Sequence, residues 1–154
     1  MRIVLTLCFI YYDDKIILGL KKRGFGKGRY NGFGGKVLKG ESLRGAVIRE
    51  MYEESGIRAE KISKRGILEF SFKGNPEVLE VHVYKILKWK GMSKETEEMK
   101  PRWFSLADIP FSKMWPDDRY WLPLFISGKH FRGSFLFGKE DSILRKTLTE
   151  IRRI

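Results

Sequence analysis

Apolar and polar positions change partners along this chain in a way that marks out its elements. Arg2 to Tyr12 is rich in β-branched and aromatic residues and predicts a strand. Asp13-Asp14-Lys15 predicts a turn, and Ile16 to Lys21 the returning strand. Lys22 to Lys39, with Gly40 just beyond, holds seven glycines and predicts an irregular loop. A helix follows, with Ser42 as N-cap, Gly56 as terminator, and Val47, Ile48, Met51 and Tyr52 on its buried face. Gly45 in that helix, about 1 kcal/mol worse than Ala, requires tight packing or an irregular first turn. Gly66 to Lys73 and Val78 to Trp89 predict two strands about a Gly74-Asn75-Pro76 turn, the second alternating Val81, Val83 and Ile86 against His82 and Lys85. Trp103-Phe104 predicts a short strand, with Trp103, Phe104 and Phe111 assigned to packing, and Asp117 to Ser127 an amphipathic helix with Trp121, Leu124 and Phe125 inward. His130 to Phe137 and Ser142 to Ile151 fit a hairpin, with a terminal helix as the alternative for the last segment. Strands interrupted by two helices point to an α/β fold, a mixed sheet between helices.

Composition narrows the class. A chain of 154 residues, 42% hydrophobic and 14% aromatic, can bury a core, and no linker, repeat or low-complexity stretch divides it, so residues 1–154 are expected to form one domain. No apolar run reaches bilayer-spanning length, and no membrane association is expected. Met1 to Tyr12 imitates a signal peptide but lacks a small-residue cleavage site. The single Cys8 suits a reducing interior and reads as a core residue rather than a nucleophile. These features lead to a cytoplasmic expectation, with a nuclear or mitochondrial fraction if the source is eukaryotic. The net charge of +12, from 31 basic and 19 acidic residues, attracts polyanions generally without selecting one.

The chemistry is concentrated in Gly35 to Ile57. Glu50, Glu53 and Glu54 stand at i, i+3 and i+4, so three carboxylates share one helical face. Such a face is ordinarily just solvated; like charges that close repel, and a hard cation such as Mg²⁺ turns the repulsion into attraction. The segment fits G-x₅-E-x₇-R-E-U-x-E-E-x-G-U, U being bulky and apolar, through Gly35, Glu41, Arg49, Glu50, Met51, Glu53, Glu54, Gly56 and Ile57. It resembles the Nudix box, the signature of hydrolases that cleave nucleoside diphosphates linked to another group. KKRGFGKGRYNGFGGKV (Lys21 to Val37), EMKPRWF (Glu98 to Phe104) and MWPDDRYWLPL (Met114 to Leu124) carry the likeness further. These segments resemble the MutT-homologue branch of that family, the oxidised purine nucleoside triphosphatases, and the likeness runs from about Thr6 to the C-terminus.

The resemblance implies an α/β/α sandwich and Mg²⁺-dependent hydrolysis, with Mn²⁺ as a possible substitute. It assigns the metal to the Gly34 carbonyl, Glu50, Glu53, Glu54 and Glu98, and makes Glu54 the candidate base. Arg49 is expected to orient Glu50 or Glu41 by a bidentate contact, leaving Glu41 outside the primary ligand set. A Gly34-Gly35 turn lets backbone approach metal and phosphate without a Cβ in the way. For the substrate it implies Thr6 and Lys21 along the nucleoside and phosphates, and Phe33, Gly34, Gly35, Lys36 and Pro116 around them. Trp115 offers a stacking surface, Phe25 and Phe72 an opposing wall, and Asn31 both a donor and an acceptor. Asp117 and Asp118 should face the base edge, one with a raised pKa and donating. Their plain alternative is a turn leading into a helix, with Asp as N-cap and Trp in the core. His82 reads as structural.

The expected activity is conversion of 8-oxo-dGTP, 2-hydroxy-dATP and other modified purine nucleotides to monophosphate and pyrophosphate, by a monomer with a small-molecule substrate and no stable nucleic-acid partner. A dinucleotide or capped-RNA hydrolase is the first rival. A basic nucleic-acid-binding module is the second, prompted by a net charge that departs from the branch resembled.

Overall fold

The computed structural model describes residues 1–154. Its elements are β1 (Arg2–Phe9), β2 (Tyr11–Tyr12), β3 (Lys15–Lys21), β4 (Tyr30–Asn31), α1 (Leu43–Ser55), β5 (Arg58–Phe72), β6 (Asn75–Lys90), β7 (Met99–Ser105), α2 (Asp118–Ile126), β8 (His130–Phe137) and β9 (Ile143–Ile151). Five strands form a mixed sheet in the order β1-β6-β5-β8-β9, with β1/β6 and β5/β8 parallel and β5/β6 and β8/β9 antiparallel. A second sheet is built on β3, which pairs with β2, β4 and β7. The C-terminal segments form the hairpin, not a helix.

Two apolar clusters fill the space between these layers and explain why the two helices dock where they do. Val47 and Met51 of α1 pack with Cys8, Ile17, Phe33, Tyr84 and Met99. Trp121, Leu122 and Phe125 of α2 pack with Phe9, Leu18, Leu68, Val83, Phe131 and Phe135. Fully burying a side chain of this size contributes about 1.5–3 kcal/mol, so these contacts, rather than helix propensity, hold α1 and α2 in place. Cys8 is wholly buried against Met51, as a core residue should be.

The caps of α1 are as expected. Ser42 Oγ accepts from the Gly45 amide at 3.0 Å, and a Cβ at Gly45 would stand only 3.1 Å from that Oγ. The glycine therefore belongs to the cap. Gly56 closes the helix at φ 78°, its amide donating to the Tyr52 carbonyl at 2.8 Å.

Several expectations are corrected. Tyr52 lies on the exposed side of α1, under the Arg58 guanidinium. Trp103 is exposed rather than packed, whereas Phe104 is buried. In α2 it is Leu122 that is buried, and Leu124 only partly, because Trp121, Leu122 and Phe125 make the face that packs on the core cluster. β5 starts at Arg58, eight residues before the expected Gly66, and β6 at Asn75, since the turn narrows to Lys73-Gly74. The Arg58–Arg65 stretch is too charged to alternate cleanly; its pairing with the far half of β6, broken by register shifts around Lys61 and Lys64, makes it a strand. β7 extends to Met99 for the same reason, through its ladder with β3.

Candidate active site

The glycine loop is seated against the free edge of β1. Thr6 N donates to Gly35 O at 2.9 Å, Cys8 N to Phe33 O at 2.7 Å and Phe33 N to Cys8 O at 3.0 Å. A Cβ on Gly34 would lie 1.9 Å from the Thr6 carbonyl oxygen, inside any permissible contact. One on Gly35 would lie 2.8 Å from the Glu50 carboxylate. The two glycines thus let the loop close on β1 and let α1 bring its acids up beneath it. The Gly34 amide donates to Glu54 Oε1 at 2.9 Å, while the Gly34 carbonyl, between two bonded ones, accepts no hydrogen bond within the protein.

Glu54 is buried, only 5% exposed, in the last turn of α1. Burial pushes its pKa up to about 7, the Gly34 amide opposes the shift, and the Glu50 charge adds to it. Glu50 and Glu41 are organised by Arg49. Its Nε and Nη2 grip the two Glu41 oxygens at 2.7 and 2.9 Å, and its Nη1 donates to Glu50 Oε1 at 2.7 Å. Nη1 also reaches Glu53 at 3.3 Å, and Nη2 the Lys36 carbonyl at 3.1 Å. The bidentate grip holds Glu41 at a pKa of about 2. Arg49 therefore orients both acids rather than one, with Glu41 as its anchor.

Glu98 arrives from the start of β7, where β3 brings Lys21. Lys21 Nζ lies 3.2 Å from Glu98 Oε2, and Arg23 Nη2 lies 2.6 Å from Glu98 Oε1. The bond from Arg23, with Lys21 behind it, holds this carboxyl below the usual range against the opposing effect of burial. The four acids expected to bind metal do not close on one point as a preformed cage; Glu50 and Glu98 are each held by cations and Glu54 by an amide. The donor set nevertheless fits a hard divalent cation. It offers a free backbone carbonyl at Gly34, a desolvated carboxylate at Glu54 with Glu50 beside it, and the exposed carboxylate of Glu53.

A cleft of about 850 Å³ opens beside this acid cluster. Thr6, Lys21, Phe25, Asn31, Gly34, Gly35, Lys36, Phe72, Trp115, Asp117 and Asp118 line it together with Glu54, so residues spread over most of the chain meet in one space. Phe25 and Phe72 stand at 5.0 and 6.5 Å from the Trp115 ring and meet each other edge-on at 6.0 Å, too close for a base to lie between, so the three rings pack as one aromatic wall and not as the opposing walls expected. Asn31 Oδ1 accepts from the Gly32 amide at 2.9 Å, which fixes its orientation.

Asp117 and Asp118 are both about 3% exposed. Trp121 Nε1 donates to Asp117 Oδ2 at 2.7 Å. Burial raises both carboxyls; for Asp118 the Asp117 charge and their mutual hydrogen bond push further, well above the usual range, and for Asp117 the Trp121 and Asp118 bonds pull back. Of the two, Asp118 is the carboxyl pushed further above the usual range. Asp117 occupies the cap position of α2 without a capping side-chain bond; its carboxyl is taken up instead by the Trp121 indole one turn further on, at the cleft wall. Only three buried side-chain polar atoms lack a partner, and two of them, Thr6 Oγ1 and Asp118 Oδ2, belong to residues of this cleft. The third belongs to His82, whose other ring nitrogen meets Glu80 at 2.7 Å in a structural contact.

Two expected residues fall outside. Phe33 is fully buried among Cys8, Ile17 and Met99, contributing backbone to the β1 contact but no side chain to the cleft. Pro116 turns to an outer concavity with Arg29, Arg119 and Tyr120. Leu5, Leu7, Phe70, Met99, Trp121 and Phe137 also line the cleft; each reads from sequence as ordinary core, and only the Trp121–Asp117 spacing of one helical turn hinted otherwise.

A mixed sheet flanked by helices, with an Arg-organised glutamate helix under a Gly-Gly loop, is the architecture of a Nudix domain. The NUDIX domain model matches residues 1–125, and the chain belongs to that family of hydrolases. It is 45% identical over 146 residues to the oxidized purine nucleoside triphosphate hydrolase of Mus musculus, covering 95% of this chain and 94% of that one. The enzyme of that name from Danio rerio is 43% identical over 148 residues, 96% of this chain and 95% of that one. Among solved structures, a MutT protein from Bacillus halodurans shares the fold at a TM-score of 0.84 and 24% identity, over 95% of this chain and 97% of that one.

Proposed function

We propose that this Nudix hydrolase converts oxidised purine nucleoside triphosphates, 8-oxo-dGTP foremost, to the monophosphate and pyrophosphate, and so cleans the nucleotide pool. The observation that carries this reading is the shared cleft: a buried carboxyl pair and an indole face the same space as Glu54 of α1. The activity named for the mouse and zebrafish relatives agrees with it. Asp118, protonated, donates to a base-edge acceptor while Asp117 accepts, and Trp115 stacks on the purine. Lys21 and Lys36 offer cations to the phosphates, and Glu54, poised near neutrality, takes a proton from the attacking water. The Gly34 carbonyl, Glu50, Glu53, Glu54 and Glu98 would hold the resident cation, Mg²⁺ with Mn²⁺ as a substitute, which supplies charge neutralisation and a more acidic water when bound. Arg49 keeps Glu50 aligned through Glu41.

The reading includes a monomer of one domain with a small-molecule nucleotide substrate, acting in the cytoplasm; no helix is long and apolar enough to cross a membrane. The decisive assay is pyrophosphate release from 8-oxo-dGTP and dGTP side by side, with Mg²⁺ and with a chelator. A strong preference for the oxidised base, abolished by the chelator, is the expected result. Equal, feeble release from both would overturn the base reading and turn attention to dinucleotides and capped RNA.

A further inference from the structure

Arg29 is absent from every role described so far, yet it touches the purine wall from behind. Its guanidinium lies 4.1 Å from the centre of the Trp115 ring, and Nη1 is 3.1 Å from Asp141 Oδ2. Arg29 does not line the cleft; it lines the outer concavity with Pro116, Arg119 and Tyr120, and so meets the cleft through the indole. Asp141 sits in the turn between β8 and β9 at φ 59°, its amide bonded to the Gly138 carbonyl at 3.1 Å. One guanidinium therefore ties the glycine loop, the Trp115–Asp118 segment and the β8–β9 turn together. On the loop side, Gly26 leaves room for the indole, for a Cβ there would approach Trp115 Nε1 to 3.3 Å.

We propose that Arg29 is a specificity-determining positioning residue, anchored by Asp141, that sets the placement of Trp115 and hence the fit of the purine base. A planar guanidinium suits this task because it can lie on an aromatic face and pair with a carboxylate at its edge at once, which a lysine ammonium does less well. Its charge also reaches through the wall, opposing the upward shift of both Asp117 and Asp118. The inference rests on the purine reading above.

The test compares wild type, Arg29→Lys, Arg29→Ala, Asp141→Asn and the Arg29→Ala/Asp141→Asn double variant. Three quantities are measured: the Kd for 8-oxo-dGMP, KM and kcat for 8-oxo-dGTP, and the indole ¹⁵N–¹H resonances of the four tryptophans. Removal of Arg29 is expected to weaken 8-oxo-dGMP and raise KM by roughly five- to tenfold, with kcat held within about twofold. Lysine recovers only part of that, Asp141→Asn gives a smaller shift in the same direction, and the double variant matches Arg29→Ala alone. The Trp115 resonance moves while those of Trp89 and Trp103 stay. An unmoved Trp115 resonance, additive effects of the two substitutions, or a fall in kcat with KM unchanged overturns the proposal. Should wild type turn over no oxidised purine nucleotide, the functional reading fails by itself, and the Trp115 resonance with its dependence on Asp141 still decides the placement of the indole.

Discussion

Glu54 Oε1 lies 2.9 Å from the amide nitrogen of Gly34, and that single contact joins the last turn of α1 to the loop held on β1. It brings a buried carboxylate with a pKa near 7 to a loop residue whose own carbonyl accepts no hydrogen bond within the protein. A glutamine at position 54 keeps an oxygen for the Gly34 amide but cannot take a proton. Glu54→Gln is expected to lose about two to three orders of magnitude in turnover with an unchanged circular dichroism spectrum. Near-normal activity would remove Glu54 from the catalytic set.

The same group makes stability depend on pH in the metal-free protein. Its folded pKa of about 7 lies above the 4.5 of an ordinary Glu, so the folded state holds the proton more tightly than the unfolded one. Stability from this group is full below pH of about 4.5 and is lost as pH rises through about 7, by on the order of 3 kcal/mol at most. Urea titrations in chelator should show wild type losing stability between those values relative to Glu54→Gln, and Mg²⁺ should restore it at high pH. Parallel pH profiles for the two proteins would contradict the raised pKa.

Gly34 and Gly35 should fail differently. An alanine at 34 must push its methyl into the Thr6 carbonyl, backbone against backbone, and is expected to destabilise by roughly 3 kcal/mol or more. At 35 the obstacle is the Glu50 carboxylate, which can rotate away, so the fold should survive while activity drops. Denaturant midpoints and turnover measured on both variants separate the two cases.

The carboxyl pair should divide substrate choice from stability. Asp118→Asn keeps a donor where the proposed reading places the protonated acid, and is expected to retain activity on the preferred base. Asp117→Asn changes the ranking among 8-oxo-dGTP, 2-hydroxy-dATP and dGTP more than it changes overall turnover. Asp117→Ala leaves the Trp121 indole without its acceptor and should lower stability by about 1–3 kcal/mol. An equal loss on every substrate for Asp117→Asn would count against base reading.

Arg49→Lys tests the organiser of the acids. Lysine cannot grip both Glu41 oxygens while reaching Glu50, so kcat should fall about tenfold or more with little change in Tm. If Glu41→Gln then removes no further activity from Arg49→Lys, the two act as one unit.

The spacing of Gly35, Glu41, Arg49, Glu50, Glu53, Glu54 and Gly56 alone determined the helix, its caps and the family, because these positions interact within a few turns of one another. Alternation likewise determined the strands that are buried on one face, and failed on Arg58–Arg65, where a charged strand exists only through its partner β6. The tertiary structure decided which residues share the cleft. Phe33 and Pro116 look like neighbours of the site along the chain, yet the pairing of the loop with β1 sends Phe33 into the core and the turn before α2 sends Pro116 outward. Trp121 and Phe137 read as core and prove to be wall as well, since a cleft cut into a core is lined by the residues that build it. The pairing of Arg29 with Asp141, 112 positions apart, has no local signature; three separate segments had to meet before a cation could lie on Trp115. Local periodicity reports what a residue does to its own element, and the long-range contacts that assemble a pocket are chosen by how those elements pack.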